Sequence, residues 1–97
     1  MRAYTPDIPA HVAATVRQLP PDLKRGIKQA LRAISADPDA GEPLRRDLEG
    51  LWRYSVRRFR IVYRPDRTRR VIQVLAVGHR RDIYEQVADV LKRQQKP

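Results

Sequence analysis

The chain contains no cysteine, and only four glycines, one tryptophan, one phenylalanine and two histidines occur among its 97 residues. The absence of cysteine excludes disulfides, thiol catalysis and cysteine-based zinc sites. His11 and His79 are too few to build a structural zinc site by themselves. Phosphate-binding glycine loops and paired carboxylates at a familiar spacing are also missing. We therefore expect a protein without a metal ion or other cofactor.

Long hydrophobic runs are missing as well. The longest runs, such as residues 74–77, are much shorter than the roughly 20 residues of a membrane span. Residues 1–6 lack the apolar centre of a signal peptide. We therefore expect a soluble, cytoplasmic protein with no membrane contact, in which residues 1–97 form a single domain.

Lysine is scarce, although the chain is strongly basic. Only four of the 21 cations are lysine, and the 11 acidic residues leave a formal charge of +10. The excess lies in residues 41–84, which contain twelve arginines and five acidic residues. Because a planar guanidinium binds phosphate through two parallel hydrogen bonds, this excess indicates a nucleic-acid-binding surface. The alternatives are a basic surface that maintains solubility and one that is neutralised by an acidic protein partner.

Two apolar patterns of helical spacing precede the basic segment. The first consists of Ile8, Val12, Val16 and Leu19, and the second of Leu23, Ile27, Leu31 and Ile34. Pro20-Pro21 separates the two, because proline clashes with a preceding helical turn, and Asp37-Pro38 suits the end of the second. The sequence therefore predicts a helical hairpin with one apolar stripe on each helix.

From Trp52 the apolar period changes to two, which is typical of half-buried strands. The apolar positions are Trp52, Tyr54 and Val56, then Phe59, Ile61 and Tyr63, and arginines occupy most positions between them. Residues 65–68 predict a turn, and residues 71–77 predict a central strand that is covered on both faces and ends at Gly78. Residues 1–5 suit a short first strand. Ile83, Val87, Val90 and Leu91 predict a C-terminal helix.

This order of strand, helix, helix, three strands and helix predicts an α+β fold. Both helices of the hairpin have to bury an apolar stripe, and a sheet supplies the flat partner. We therefore expect the helical hairpin to pack on one face of a small, twisted, mainly antiparallel sheet, followed by a C-terminal helix.

The opposite face of this sheet is predicted to present Arg53, Ser55 and Arg60 together. Arg80 follows the last strand, and Tyr84 lies in the first turn of the C-terminal helix. Such a group suits an RNA phosphate, because guanidiniums offset the charge that develops when the neighbouring 2′-OH attacks. Tyr84 is a candidate to stack on a base or to donate a proton to the leaving 5′-oxygen, and His79 is the other candidate proton carrier.

Each of these residues also has a plainer structural interpretation. Outward-facing arginines are usually only solvated, and Arg60 is also placed to stack on a neighbouring aromatic ring. Tyr84 suits the edge of a core, and His79 suits a strand end. A triad of Ser55, His79 and Asp82 is disfavoured, because nothing places Ser55 on a nucleophile elbow.

Three segments together resemble the RelE branch of the RelE/ParE toxin superfamily. They are residues 44–54 (LRRDLEGLWRY), 59–63 (FRIVY) and 76–84 (AVGHRRDIY). The similarity extends to the helical hairpin and covers about residues 3–90. It implies the toxin of a type II toxin–antitoxin pair, which cuts mRNA in the 30S A site of the ribosome and inhibits translation. It also implies cleavage by 2′-OH attack without a metal, and neutralisation by an acidic antitoxin.

The resemblance further implies roles for individual residues. Arg53 would lie near the scissile phosphate, and Arg60 would stabilise the phosphoryl transition state. Arg80 matches the arginine after the last strand, and Tyr84 matches a tyrosine that stacks on or protonates the substrate. His79 stands where family members vary between lysine and histidine. The remaining residues predicted to bind RNA are Arg45, Arg46, Ser55, Arg57, Arg58 and Arg81.

The sequence departs from the family pattern at two places. Ser55 stands where members often have lysine or arginine, and Arg57-Arg58 replaces a frequent Gly-Asp-like turn. Either Arg57 or Arg58 supplies the missing charge, or the toxin is weakened. Three functions therefore stay open: a ribosome-dependent endoribonuclease, a ParE-like inhibitor of DNA gyrase without nuclease activity, and a module that only binds its antitoxin or acts as a co-repressor.

Overall fold

The computed structural model describes residues 3–95, which form three helices and one five-stranded sheet. The helices are α1 (Ala10–Arg17), α2 (Pro21–Ala36) and α3 (Ile83–Gln94). The strands are β1 (Thr5–Asp7), β2 (Glu42–Pro43), β3 (Trp52–Val56), β4 (Phe59–Asp66) and β5 (Val71–His79). The sheet order is β1-β5-β4-β3-β2, with β1 parallel to β5 and the other pairs antiparallel. The predicted α+β class is confirmed.

The helical hairpin forms where the proline pairs predicted it. Pro21 occupies the first position of α2, where a helix has no partner for an N–H in any case. α2 ends at Ala36, because Pro38 disfavours a helical Asp37, which is extended with φ −146°. The Asp37 carboxylate then accepts the Asp39 N–H at 3.0 Å and starts a 3-10 helix at Pro38–Ala40.

The sheet is covered on both faces. On one face the helical hairpin buries Val12, Ile27, Leu31 and Ile34 against Ile61, Tyr63, Ile72, Val74 and Val77. On the other face α3 buries Ile83 and Val87 against Leu51, Val62, Leu75 and Ala76. We call these the hairpin face and the α3 face. The prediction that the last strand is buried on both sides is confirmed.

A β-bulge in β5 explains why two consecutive residues face α3. Val62 pairs with Ala76 and Tyr63 pairs with Val74, which leaves Leu75 as the extra residue. The backbone carbonyl of Leu75 is hydrogen-bonded instead to the His11 ring, at 2.9 Å from Nε2. The His11 side chain therefore gives a hydrogen-bond partner to a backbone group of β5 beyond the end of its pairing with β1.

Three predicted boundaries are wrong. The first strand is Thr5–Asp7 rather than residues 1–5, of which Met1 and Arg2 lie outside the described residues. The last strand continues past Gly78, because His79 pairs with Phe59. The β4–β5 turn occupies residues 67–70, and Pro65 lies inside β4. A proline is tolerated there because β3 begins opposite Tyr63, so beyond that point β4 has a free edge.

The phenol of Tyr63 connects β4 to the segment before β2. The side chain is fully buried, its O–H donates to the Pro38 carbonyl at 2.7 Å, and its oxygen accepts the Gly41 N–H at 3.2 Å. Burial is the largest cause that raises the pKa of Tyr63, to about 12. The unfolded-state pKa of tyrosine is about 10, so Tyr63 stabilises the fold fully below that pH. The contribution is lost as the pH rises toward 12.

We expect Tyr63→Phe to lower the free energy of unfolding by about 1 to 3 kcal/mol at neutral pH, because it leaves two buried backbone groups unpaired. The difference between wild type and variant should shrink as the pH rises above about 10, since only the wild type has the phenol to ionise. Urea unfolding of both proteins across this range measures the effect. A difference that stays constant with pH would contradict the account.

Candidate functional site

Arg53 is the second residue of β3 and lies on the α3 face, because it pairs with Val62, which belongs to the core beneath α3. Its Nη1 donates to the Tyr84 hydroxyl oxygen at 2.9 Å, and its Nη2 donates to Glu42 Oε2 at 3.2 Å. Its Nε is buried without a hydrogen-bond partner. The pKa of the Arg53 guanidinium lies above its ordinary value, first because of the Tyr84 bond and then because of the Glu42 bond. The guanidinium is thus fixed between α3 and β2.

Tyr84 is the second residue of α3, and its position depends on its neighbour. Ile83 is fully buried and anchors the first turn of α3 on the sheet, whereas the Tyr84 side chain remains 39% exposed. The Tyr84 oxygen accepts a hydrogen from Arg53, so the hydroxyl hydrogen of Tyr84 itself remains available to donate.

Ser55 and Arg60 lie farther along the same face, directly opposite each other in the β3–β4 pair. Ser55 is exposed and two residues from Arg53. The Arg60 Nη1 donates to the carbonyls of Arg57 and Phe59 at 3.1 and 2.9 Å, so its guanidinium folds over the β3–β4 turn. The structure therefore places Arg53, Ser55 and Arg60 on one face, with Arg60 toward the turn.

Arg57 and Arg58 form the two-residue turn that connects β3 and β4. Arg57 has a left-handed backbone with φ 54°, a conformation in which non-glycine residues are strained. The Arg58 carbonyl accepts the Arg80 N–H at 2.7 Å, which fastens the segment after β5 to this turn. Gly78, two residues before Arg80, pairs with Arg60. Arg57, Arg58, Arg60 and Arg80 consequently gather at one end of the sheet.

His79 lies on the other side of the sheet. It pairs with Phe59, whose ring packs against the core of the hairpin face, and the two rings meet edge-on with centroids 5.8 Å apart. The His79 Nδ1 accepts the backbone N–H of Arg81 at 3.2 Å. The structure thus separates His79 from Arg53 and Tyr84, whereas Arg81 is an exposed residue of the turn before α3.

Arg45 and Arg46 lie at the opposite end of β3 from the Arg57-Arg58 turn. Both are exposed on the segment that connects β2 to β3, where they line an open cleft of about 450 Å³ with Leu44 and Glu49. The structure does not bring them to Arg60 or Arg80. As predicted RNA-binding residues they form a second, separate basic position on the surface.

Glu42 is a site residue that the sequence did not reveal. It lies in β2 directly opposite Arg53, and its carboxylate is the anion that holds the Arg53 guanidinium. Gly41 makes this contact possible, because a Cβ there would lie 2.3 Å from the Arg53 carbonyl oxygen. A two-residue strand has no periodicity to detect, and the only signal was Pro43, which favours an extended residue before it.

Two further observations concern metal binding and membrane spanning. Among residues 3–95, no group of three or more His, Asp or Glu side chains is placed to hold a metal ion. Within the same part of the chain, each helix is too short or too polar to cross a membrane.

Comparison with known proteins agrees with the fold. The chain matches the sequence model described as the ParE toxin of the type II toxin–antitoxin system parDE, over residues 5–84. It is 34% identical over 85 residues to Toxin RelG of Mycobacterium tuberculosis, an alignment that covers 84% of this chain and 95% of that protein.

Two solved structures have the same fold. The toxin–antitoxin complex RelBE2 of Mycobacterium tuberculosis is similar with a TM-score of 0.73 and 27% identity, over 81% of this chain and 93% of that chain. A mutant of the E. coli toxin RelE in the free state is similar with a TM-score of 0.76 and 22% identity, over 94% and 97% of the two chains. The family match and the RelG alignment together show that this chain belongs to the RelE/ParE family of toxins of type II toxin–antitoxin systems.

Proposed function

We propose that the protein is a ribosome-dependent mRNA endoribonuclease that inhibits translation, and that it acts without a metal by 2′-OH attack on the scissile phosphate. The observation that carries this proposal is the hydrogen bond from Arg53 to Tyr84 on the α3 face. This bond joins a permanent cation to a phenol whose own hydrogen is not used in the bond, on a face that also carries Arg60. A proton donor beside cations is what the cleavage of a phosphodiester requires.

In the proposed reaction the 2′-oxygen forms a bond to phosphorus while the bond from phosphorus to the 5′-oxygen breaks. Tyr84 donates its proton to the leaving 5′-oxygen, and Arg53 stabilises the phenolate that results. The Glu42 carboxylate, 3.2 Å from Arg53, accepts the proton of the attacking 2′-OH. The products are a 2′,3′-cyclic phosphate and a 5′-hydroxyl, and exchange with water restores both side chains.

The remaining arginines offset the negative charge of the RNA. Arg60 and Arg80 stabilise the negative charge that develops on the phosphoryl oxygens. The substrate phosphates farther along the RNA are bound by Arg45, Arg46, Arg57, Arg58 and Arg81. Ser55 contributes a hydroxyl without charge, so Arg60 and the Arg57-Arg58 turn provide the positive charge near it. Tyr84 is preferred to His79 as proton donor, because His79 lies on the hairpin face.

We propose an acidic antitoxin as the partner of this toxin. Support comes from the similar RelBE2 complex, which contains a toxin with its antitoxin, and from the formal charge of +10. An acidic segment that covers the α3 face would neutralise Arg53, Arg60 and Arg80. Its affinity should fall as salt rises, because exposed charges are screened.

The test is mRNA cleavage on purified ribosomes with wild type, Arg60→Ala and a control, Arg32→Ala, which removes an exposed arginine of α2. We expect the wild type and Arg32→Ala to cut and Arg60→Ala to lose most of the activity. Absence of cleavage by the wild type would refute the enzymatic proposal.

Glu42→Gln is expected to lower the cleavage rate by about 100-fold, since a general base typically contributes at least that factor. Glutamine still accepts a hydrogen bond from Arg53, so thermal stability should change little. Single-turnover cleavage over a range of pH measures the effect, and Glu49→Gln is the matched control on the exposed loop. Equal rates for the two variants would exclude Glu42 as the base.

A ParE-like inhibition of DNA gyrase is the second candidate function, and the family match over residues 5–84 favours it. A supercoiling assay with purified gyrase distinguishes the two. Inhibition of gyrase without any RNA cleavage would assign the ParE-like activity. Unimpaired growth of cells that express abundant folded protein without antitoxin would assign only binding or co-repression.

A further inference from the structure

A second concave surface lies on the hairpin face, on the other side of the β3–β4 turn from the α3 face. It is a cleft of about 350 Å³ between the start of α2 and the turn. Its lining residues are Pro20, Asp22, Leu23, Arg57, Arg58 and Phe59. We call it the turn cleft. It contains none of Arg53, Arg60, Arg80 and Tyr84.

The chemistry of the turn cleft combines an apolar lining with two uncompensated cations. Phe59 is half-buried and contributes an aromatic ring, and Leu23 and Pro20 contribute aliphatic surface. Among the contacts of residues 3–95, neither Arg57 nor Arg58 has an ion pair or hydrogen bond through its guanidinium. The Asp22 carboxylate does not neutralise them, because it pairs with Arg25. The cleft therefore suits a ligand with a flat apolar group between two negative charges.

The geometry of the turn presents its two arginines to solvent. Arg57 has a left-handed backbone with φ 54°, a conformation that Arg46 and Arg70 also adopt elsewhere in the chain. The carbonyls of Arg57 and Arg58 are already bound by Arg60 and by the Arg80 N–H, so the turn is held rigid and its two side chains are presented outward.

The turn cleft and the proposed cleavage face both border the Arg57-Arg58 turn. The Arg60 guanidinium lies 3.1 Å from the Arg57 carbonyl, so a phosphate bound by Arg60 would be next to the turn. An RNA strand that runs from Tyr84 along the α3 face therefore reaches the Arg57-Arg58 turn and can pass round it. The next unpaired nucleotide then meets Phe59.

We infer that the turn cleft is a nucleotide subsite, in which one unpaired base of the bound RNA stacks on Phe59 and its flanking phosphates pair with Arg57 and Arg58. A base fits this lining, because every nucleobase has an aromatic face, and stacking on an aromatic side chain tolerates any sequence. An acidic peptide would use the two arginines but not the ring. The inference rests on the proposed RNA substrate, and it adds a contact outside the reacting atoms.

The test measures binding rather than cleavage. Fluorescence anisotropy follows a labelled oligouridylate of about ten nucleotides with the full chain carrying Tyr84→Phe, so that the probe is not cut. Leu23→Glu places a carboxylate in the turn cleft, and Gln29→Glu, with the same charge change on an exposed position of α2, is the matched control. We expect Leu23→Glu to weaken binding about 10-fold relative to Gln29→Glu.

A second variant covers the case in which Leu23→Glu does not fold. Arg57→Ala with Arg58→Ala should reduce the slope of log affinity against log salt by about 1.4, because each phosphate contact to a single strand contributes about 0.7. The control is Lys28→Ala with Arg32→Ala, which removes the same charge from α2. It should reduce the slope by less than Arg57→Ala with Arg58→Ala does. Photo-crosslinking of 5-iodouridine in the probe should mark the peptide that contains Phe59.

Three outcomes would overturn the subsite. They are no measurable binding of the probe, equal affinities and salt slopes for the cleft and control variants, and cross-links confined to the α3 face. Failure of the proposed function is recognised separately, since ribosomal mRNA is then not cut by the unsubstituted protein even where the probe binds in the turn cleft.

Discussion

Arg53→Ala is expected to reduce ribosome-dependent mRNA cleavage by about 100- to 1,000-fold, a loss typical of removing one preorganised donor from an active site. Arg53 is the residue that connects the groups of the site, with hydrogen bonds to Tyr84 at 2.9 Å and to Glu42 at 3.2 Å. Without it the phenolate of Tyr84 has no adjacent cation, and the Glu42 carboxylate is released to solvent. The side chain is 36% exposed, so its removal should alter stability much less than activity.

The contact between Arg53 and Tyr84 also predicts how the cleavage rate changes when both residues are substituted. If the two act as a unit, Arg53→Ala combined with Tyr84→Phe should be little slower than either single variant, because residues in contact are not additive. Arg53→Lys keeps the charge but cannot contact Tyr84 and Glu42 through two separate nitrogens. Its cleavage rate should therefore lie between those of the wild type and Arg53→Ala. Arg32→Ala is the control for loss of one exposed arginine. Full additivity of the two single effects would show that the observed hydrogen bond is not used in the reaction.

Gly41→Ala is expected to destabilise the fold by about 2 to 4 kcal/mol, in the range of a severe steric conflict. A Cβ at this position would lie 2.3 Å from the Arg53 carbonyl oxygen and 2.7 Å from the Tyr63 hydroxyl oxygen. Relief of this overlap has to move β2 away from β3, which also breaks the buried hydrogen bond of Tyr63. The change therefore acts on the core and on the site together.

Urea unfolding of Gly41→Ala measures this effect, with Ala40→Gly as the neighbouring control. Ala40 is exposed, and its replacement should change stability by no more than about 1 kcal/mol. At a temperature at which Gly41→Ala remains folded, cleavage should still be reduced, because Glu42 no longer lies beside Arg53. A variant with wild-type stability would show that β2 does not pack as closely as described.

The fold was predictable because its long elements have clear periods. The helical hairpin, β3 and β4 each bury a stripe that recurs at the spacing of a helix or a strand, and β5 is a continuous apolar run that indicates burial on both faces. β2 was not predicted, because a strand of two residues is too short to show an alternation of apolar and polar positions. The bulge at Leu75 also escaped, because a run of five buried residues reads equally well with or without an extra residue.

The sequence predicted on which face of the sheet the candidate residues lie, but it did not predict the hydrogen bonds between them. Alternation along β3 and β4 placed Arg53, Ser55 and Arg60 on the side away from the helical hairpin, whereas the pairing of Arg60 with Ser55 was known only from the structure. The same alternation puts His79 on the other side, once the strand is known to continue past Gly78. The bonds of Arg53 to Tyr84 and Glu42 depend on how α3 and β2 dock, which no local pattern specifies.

We propose that Arg53, Arg60, Arg80 and Tyr84 form one site, at which the 2′-OH of the RNA attacks the scissile phosphate. The chemical nature of the ends of mRNA that has been cut on intact ribosomes shows whether the 2′-OH is the nucleophile. We expect a 2′,3′-cyclic phosphate on one fragment and a 5′-hydroxyl on the other. Fragments with a 3′-hydroxyl and a 5′-phosphate would show that water, and not the 2′-OH, attacks.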